Sequence, residues 1–162
     1  MSIKKPPKRS QCPVCGPTPT IRDMQDSKAT LLTAMGPKVQ PIPPPLADEL
    51  GVTCREYHQL VQSQTPHILL DVRVSEQYQL CHLPHSVPLP LDELTGKLQY
   101  IEELSAGKLA VYCLCRRGIA SVEATRILHE ARVSRPGIHA VFNVTGGLDA
   151  WRDTVDPNFP KY

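Results

Sequence analysis

Short apolar runs alternate with amphipathic segments through the second part of the chain. Residues 67–71 form a continuous apolar run that ends in a charge, and residues 109–113 form a second apolar run. Such runs are typical of strands that are buried on both faces of a parallel sheet. Shorter apolar runs predict further strands at residues 51–53, 86–89 and 140–144.

Helix patterns lie between the predicted strands. Residues 91–101 place four large aliphatic side chains on one helical face, and residues 121–131 repeat the pattern. Shorter helices are predicted at residues 55–62 and 145–151. Alternating strands and helices need right-handed crossovers, so the predicted class is α/β. We expect a parallel sheet of about five strands with helices on both faces.

Three regions of the chain differ in composition. Residues 27–47 end in a proline-rich stretch that neither a helix nor a sheet accommodates, which predicts an extended linker. Residues 48–162 carry the strand and helix patterns and are predicted to form the globular domain. Residues 1–26 are interpreted as the tail end of an upstream domain, so an extended N-terminal segment precedes the globular part.

Composition excludes several classes of function. The chain has 162 residues, a formal net charge of +2 and 5% aromatic residues, which does not suggest a nucleic-acid groove with stacking platforms. No stretch approaches the roughly 18 apolar residues of a membrane helix, and the N-terminus lacks the apolar core of a signal peptide. We therefore expect a cytoplasmic protein without direct nucleic-acid or membrane partners.

The first two of the six cysteines have metal-ligand spacing. Cys12 and Cys15 are separated by two residues, which is the spacing of half a tetrahedral zinc site. A redox dithiol is the alternative, but such pairs follow a strand and open a helix. We interpret the pair as half of a structural zinc site that a longer protein completes, so zinc is a candidate cofactor there and binds weakly to this chain alone.

Cys115 stands between a predicted strand and a predicted helix. The intervening turn would point its backbone N–H groups inward and aim a helix N-terminus at the sulfur. These donors and two arginines favour a thiolate, which can accept a second sulfur as a persulfide. A small buried hydrophobe is the alternative for a cysteine in this position. Cys113, inside the apolar run, is interpreted as core packing.

The candidate active-site loop extends from the cysteine into the next helix. Its members after Cys115 are Arg116, Arg117, Gly118, Ile119, Ala120 and Ser121. The arginines are either binding groups for anionic sulfur donors or solvated charges, and Ser121 is suited to cap the helix.

Two further features fall at the same edge of the predicted sheet. Asp71 and Arg73 follow a strand, and we interpret them as a supporting salt bridge that shapes the surroundings of the loop. Gly146 and Gly147 permit close approach of the backbone. Ligands of open α/β sheets bind at the carboxyl ends of the strands, where all of these residues lie.

Four ordered motifs resemble the rhodanese homology domain. They are Leu69-Leu-Asp-Val-Arg73, His82-Leu-Pro-His-Ser-Val-Pro-Leu-Pro90, the loop from Cys115, and Val144-Thr-Gly-Gly-Leu-Asp-Ala-Trp151. The resemblance implies a rhodanese-like fold, no cofactor for this domain, and Cys115 as the persulfide carrier. It also implies thiosulfate sulfurtransferase activity in vitro.

A narrower resemblance covers the whole chain. Cys12-Pro-Val-Cys15-Gly with the Pro19-Thr-Ile-Arg-Asp23 that follows, Cys81-His-Leu-Pro-His85 and the ending Phe159-Pro-Lys-Tyr162 are similar to the C-terminal part of the family of molybdenum cofactor synthesis protein 3. Members of that family are both adenylyltransferase and sulfurtransferase. In them a domain with a four-cysteine zinc site precedes the rhodanese domain, which would explain the incomplete pair.

This resemblance implies partners. The persulfide would take sulfur from a cysteine desulfurase and deliver it to the activated C-terminal glycine of a ubiquitin-like sulfur carrier ending in Gly-Gly. The pathways implied are tRNA thiolation and molybdenum cofactor biosynthesis. The loop departs from the family, because Ile119 and Ala120 stand where relatives usually have Asn and Asp.

Two other functions are compatible with a rhodanese-like fold. A cysteine-dependent phosphatase would also place a thiolate on an anion-binding loop, but such enzymes need an arginine six residues after the cysteine, where this chain has Ser121. A non-catalytic interaction module is the second alternative. The retained cysteine favours sulfur chemistry over such a module.

Overall fold

The computed structural model describes residues 47–161. This part of the chain forms one five-stranded sheet in which every neighbouring pair is parallel, and the strand order is the first, fifth, fourth, second and third. The strands are Gly51–Val52 (β1), His67–Asp71 (β2), Ser86–Pro88 (β3), Ala110–Leu114 (β4) and Val141–Val144 (β5). β4 is therefore the central strand, with a partner on each side.

Helices connect the strands in chain order. They are Cys54–Gln62 (α1), Ser75–Leu80 (α2), Leu98–Ser105 (α3), Ile119–Ala131 (α4) and Gly147–Thr154 (α5), with short 3-10 helices at Asp48–Leu50 and Leu94–Lys97. α1 has a well-defined start, because the Thr53 hydroxyl accepts the Glu56 backbone N–H while the Glu56 carboxylate accepts the Thr53 backbone N–H.

The side chains of each strand point alternately to the two faces of the sheet, and each face carries its own apolar core. α3 and α4 cover one face of the sheet, where Leu70, Val111 and Cys113 are fully buried. α1 and α5 cover the other face, where Tyr57 and Trp151 pack against the strands. The α/β class, the five parallel strands and the helices on both faces are confirmed.

Two helical regions differ from the prediction. α2 was not predicted, because its six residues are too few to show a helical period and none of them is fully buried. The predicted helix over residues 91–101 is divided into a turn, a 3-10 helix and the start of α3. Its apolar face is nevertheless correct, since Leu94 and Ile101 are fully buried.

Apart from residue 47, the predictions for the N-terminal region lie outside the described residues. They concern the upstream domain end at 1–26, the extended linker at 27–47 and the zinc half-site of Cys12 and Cys15. Among the helices of residues 47–161, none is long and apolar enough to cross a membrane.

Candidate active site

Cys115 lies directly after the central strand β4, at the carboxyl edge of the sheet. Only 4% of the residue is exposed, and it contacts the apolar core beneath α4. The loop after it is shorter than predicted. Ile119, Ala120 and Ser121, which we assigned to the loop, form the first turn of α4. The turn that follows Cys115 therefore consists of Arg116, Arg117 and Gly118, and together with Cys115 it is called the cysteine turn, or Cys115 turn, below.

A backbone N–H and a hydroxyl group converge on the Cys115 sulfur. The backbone N–H of Gly118 donates to Sγ at 3.1 Å, and the hydroxyl oxygen of Ser121 lies 3.3 Å from Sγ. The sequence predicted Ser121 as the N-cap of α4, and this prediction is wrong. Gly118 holds the N-cap position, and Ser121 is the third helical residue with its side chain turned toward the sulfur. Because α4 begins at this turn, the positive end of its dipole also lies near the sulfur.

Gly118 has the backbone conformation that the turn needs. Its φ is +83°, in the left-handed region that disfavours side chains. A Cβ atom at this position would also lie 2.8 Å from the backbone nitrogen of Gly146. The cysteine turn and the turn after β5 are thus packed backbone against backbone.

The first turn of α5 donates hydrogen bonds to the cysteine turn. The Leu148 N–H donates to the Cys115 carbonyl and the Asp149 N–H donates to the Arg116 carbonyl, both at 2.9 Å. In a trans peptide the N–H points away from the C=O of the same unit. The two bonds therefore turn the amide N–H groups of Arg116 and Arg117 away from α5. The same contacts satisfy N–H groups that the start of a helix leaves without partners.

Gly147 allows this contact between α5 and the cysteine turn. A Cβ atom at Gly147 would lie 2.7 Å from the carbonyl carbon of Arg116 and closer still to the carbonyl oxygen of Cys115. Its φ of +61° is likewise left-handed. The prediction that Gly146 and Gly147 permit close backbone approach is confirmed, because both backbones lie against the cysteine turn. A Cβ on Gly147 would meet that turn, whereas a Cβ on Gly146 would meet the Ala150 side chain.

The two arginines of the turn have different surroundings. Arg116 lies 3.8 Å from the Asp149 carboxylate, and both side chains are partly exposed. Arg117 is exposed, and no acidic residue within 47–161 forms an ion pair with it. Arg117 is thus the better placed of the two to meet an anion from solvent.

Asp71 and Arg73 form a buried ion pair at the end of β2. The Arg73 Nε donates to Asp71 Oδ1 at 2.8 Å, and its Nη2 donates to the carbonyl of Cys81 at 2.7 Å. The backbone continues the contact with β4, because the Val72 N–H donates to the Leu114 carbonyl next to Cys115. The predicted salt bridge is present and buried. That the pair shapes the surroundings of the cysteine turn stays a prediction.

The remaining described cysteines have other environments. Burial raises the pKa of the Cys113 thiol to about 12 and that of Cys54 to about 11, so both stay protonated at neutral pH. Cys113 is fully buried in β4, which confirms it as core packing. The Cys54 thiol lies 3.5 Å from the Gly147 carbonyl oxygen. Cys81 is partly exposed in the loop after α2.

Sequence reasoning missed two parts of the site. The sulfur contact of Ser121 depends on where α4 begins, and the predicted helix at residues 121–131 placed that point two residues late. The amide bonds from Leu148 and Asp149 involve backbone atoms only, so no side-chain pattern reports them. The paired glycines before them were the available signal. No cluster of three or more metal-ligating side chains occurs within residues 47–161.

A family model for the rhodanese-like domain matches residues 53–154. The chain belongs to the rhodanese-like domain family. The match begins at the capped start of α1 and ends with α5, so it includes the cysteine turn and the α5 turn packed against it. This family assignment carries no requirement for a cofactor.

Curated relatives extend the similarity over nearly the whole chain. A protein of Aedes aegypti named adenylyltransferase and sulfurtransferase MOCS3 is 32% identical over 163 residues, covering 99% of this chain and 37% of its own length. A Zea mays protein named adenylyltransferase and sulfurtransferase MOCS3-1 is 35% identical, covering 93% of this chain and 33% of its own length. This chain thus spans about a third of the length of these relatives, and the match includes their rhodanese part.

Solved structures show the same fold. The rhodanese-like domain protein from Staphylococcus aureus aligns with a TM-score of 0.55 at 22% identity, covering 69% of this chain and 97% of that one. The aligned protein is thus essentially one rhodanese domain, which agrees with the single α/β unit described here.

Proposed function

We propose that this protein is a sulfurtransferase that carries a persulfide on Cys115 and delivers its outer sulfur to the activated C-terminal glycine of a ubiquitin-like protein. The observation that carries the proposal is the convergence of the Gly118 N–H and the Ser121 hydroxyl on a cysteine sulfur at the carboxyl edge of the sheet. Membership of the rhodanese-like family and the names of the curated relatives support sulfur transfer.

Loading of the sulfur begins with the Cys115 thiolate. The thiolate attacks the outer sulfur of thiosulfate, the S–S bond of the donor breaks, and sulfite leaves with the bonding electron pair. Cys115 then carries a persulfide. Arg117 is placed to attract the anionic donor, since it is exposed and lacks an acidic partner within residues 47–161. A cysteine desulfurase persulfide is the proposed donor in the cell.

Delivery uses the persulfide as a nucleophile. Its outer sulfur attacks the acyl-adenylate of the carrier, the bond from the acyl carbon to the phosphate oxygen breaks, and AMP leaves. The product is an acyl disulfide with Cys115. A thiol then attacks the Cys115 sulfur, which releases the carrier as a thiocarboxylate, and a second thiol reduces the mixed disulfide to restore Cys115.

The wider assignments follow from the relatives and remain proposals. Residues 1–26 would belong to an upstream adenylyltransferase domain that holds zinc with Cys12 and Cys15, and residues 27–47 would link it to the rhodanese domain. The carrier would serve tRNA thiolation, molybdenum cofactor biosynthesis or both, in the cytoplasm.

Intact mass measurement tests the first half of the proposal. The chain is incubated with thiosulfate or a small-molecule persulfide, and we expect one added sulfur that peptide mapping places on Cys115. Cys81 provides the internal control, because it is more exposed than Cys115. If exposure alone decided the reaction, Cys81 would acquire the sulfur first. Sulfur on Cys81 and none on Cys115 would contradict the proposal.

A chemically prepared acyl-adenylate tests the second half. The persulfurated chain is mixed with an adenylated ubiquitin-like protein ending in Gly-Gly and with a reducing thiol, and we expect a thiocarboxylate at the carrier C-terminus. The matched control is the same carrier without adenylation, which should remain a carboxylate. If the chain forms thiocyanate from cyanide but no thiocarboxylate on the carrier, it is a sulfurtransferase and the proposed acceptor is wrong.

A further inference from the structure

Ser121 is a fully buried hydroxyl residue whose side chain faces the reacting sulfur. It is 0% exposed, and its Oγ lies 3.3 Å from Cys115 Sγ. Its backbone carbonyl is fixed separately, because the Thr125 hydroxyl donates to it at 2.8 Å. Within the described residues, the hydrogen-bond partner of the Ser121 hydroxyl is Cys115 Sγ.

The direction of this hydrogen bond follows from the state of the sulfur. Cys115 Sγ already accepts the Gly118 N–H at 3.1 Å. A thiolate has no proton to donate, so in that state the serine hydroxyl must be the donor. Hydrogen bonds to an ionised group are about twice as strong as those between neutral groups. The Ser121 contact is therefore strongest when Cys115 is an anion.

We propose that Ser121 stabilises Cys115 wherever it departs as a thiolate, and so controls the rate of those steps. They are the transfer of the outer sulfur to cyanide and the reduction of the mixed disulfide that delivery to the carrier leaves on Cys115. This inference rests on the proposed function. When cyanide takes the sulfur, the cyanide carbon attacks the outer sulfur of the Cys115 persulfide. The S–S bond breaks, and its electron pair returns to Cys115 Sγ. Thiocyanate leaves, and the serine hydroxyl and the Gly118 N–H receive the charge that develops on Sγ.

Loading and release respond differently to loss of the hydroxyl. In loading, Cys115 is the attacking thiolate, and a less stabilised thiolate is scarcer but more nucleophilic, so the two effects oppose each other. In release, Cys115 is the leaving group, and a less stabilised thiolate leaves more slowly. Ser121→Ala should therefore slow release about tenfold and change loading much less.

A buried serine elsewhere provides the matched control. Ser105 is also 0% exposed, and its hydroxyl donates to the Leu109 carbonyl at the opposite edge of the sheet. Ser105→Ala removes the same atom from a buried helix position without touching the sulfur. We expect it to lower stability and to leave the rate of release unchanged.

The pH profile of alkylation gives a readout that a structural role would not move. Iodoacetamide modification of Cys115, followed by peptide mapping, should reach half its maximal rate at a higher pH in Ser121→Ala, by up to about one unit. The charged or titratable residues of the cysteine turn, of the end of β4 and of the segments that are hydrogen-bonded to them are the same in all variants: Arg116, Arg117, Asp71, Arg73, Cys113 and Asp149.

The experiment measures single-turnover release of sulfur from loaded chains to cyanide, together with the alkylation profiles, in the wild type, Ser121→Ala and Ser105→Ala. Slow release and a shifted profile in Ser121→Ala alone support the proposal. Wild-type release and an unmoved profile in Ser121→Ala overturn it, as do equal losses in both variants. Should the wild type take up no sulfur, the proposed function fails, whereas the alkylation profiles still test the Ser121 contact.

Discussion

Cys113 and Cys115 lie two residues apart on one strand end, and their burial is nearly the same. Cys113 is 0% exposed and Cys115 is 4% exposed. Yet burial raises the pKa of Cys113 to about 12, while the sulfur of Cys115 accepts an amide N–H and lies within hydrogen-bond distance of a hydroxyl. Removal from water is thus common to both residues. The Thr125 hydroxyl is the hydrogen-bonding group beside Cys113, and burial outweighs it, whereas Cys115 has a backbone N–H as well as a hydroxyl at its sulfur.

The difference arises from where β4 ends. Within the strand, the backbone N–H groups beside Cys113 bond to neighbouring strands and cannot turn toward its sulfur. After Leu114 the chain leaves the sheet, and α4 begins at Gly118. The backbone N–H groups of that turn can then face a side chain instead of a strand. The end of a strand followed by a helix start thus surrounds a buried sulfur with groups that can donate hydrogen bonds to it.

The largest contrast between Cys113 and Cys115 should come from replacing each of them with alanine. Cys115→Ala should reduce sulfur transfer to the rate observed without protein, because the nucleophile is lost. Cys113→Ala should retain transfer and lower the free energy of unfolding by about 1 kcal/mol, as small deletions in cores do. Thiocyanate formation and urea unfolding measure the two effects. Transfer by Cys115→Ala, or none by a folded Cys113→Ala, would reverse the assignment.

The next effect tests the support beneath the Cys115 turn. Gly147→Ala places a Cβ against the carbonyl groups of Cys115 and Arg116, at a left-handed φ. We expect a loss of about 2–4 kcal/mol in the free energy of unfolding and slower sulfur transfer by the folded fraction.

Gly96→Ala is the matched control for that change. A Cβ at Gly96 would have no heavy atom within 4 Å, so its effect on stability should stay within about 0.5 kcal/mol. Normal transfer by Gly147→Ala at wild-type stability would show that the contact with α5 does not shape the cysteine turn.

The smallest effect is the alkaline response of Cys113. In the unfolded chain this thiol ionises near its ordinary pKa of 9.0, whereas the folded chain holds the proton to about 12. The unfolded state therefore loses a proton first as the pH rises, and the stability that Cys113 contributes is present below pH 9 and lost above it.

Urea unfolding at two pH values measures this response. Between pH 8 and pH 10 the stability advantage of the wild type over Cys113→Ala should shrink by roughly 1 kcal/mol. Cys54, Tyr57 and Tyr112 also have raised pKa values, but they are present in both proteins and cancel in the comparison. A constant difference between the two proteins would contradict the burial-based pKa of Cys113.

Much of this arrangement could be predicted from the sequence. Buried parallel strands have continuous apolar runs, so β2 and β4 were located within one residue, and Cys115 followed as the residue beyond the central strand. The paired glycines at 146 and 147 indicated close backbone approach, and the structure supplies the partner that the sequence could not name.

The parts that could not be predicted depend on tertiary contacts. The start of α4 is set by the left-handed Gly118, not by a side-chain cap, so the propensity of Ser121 for N-caps gave the wrong boundary. The hydrogen bonds from α5 join carbonyls and amides more than thirty positions apart, as Leu148 and Cys115 are. No local pattern encodes a pairing at that separation.

The bonds from Leu148 and Asp149 to the Cys115 turn also have a consequence for biosynthesis. The turn is made early, but the amides that hold it belong to the last helix of the described chain. A chain still emerging from the ribosome would have β4 and Cys115 long before α5 could dock. The Cys115 sulfur would thus acquire its final surroundings only when the domain is nearly complete.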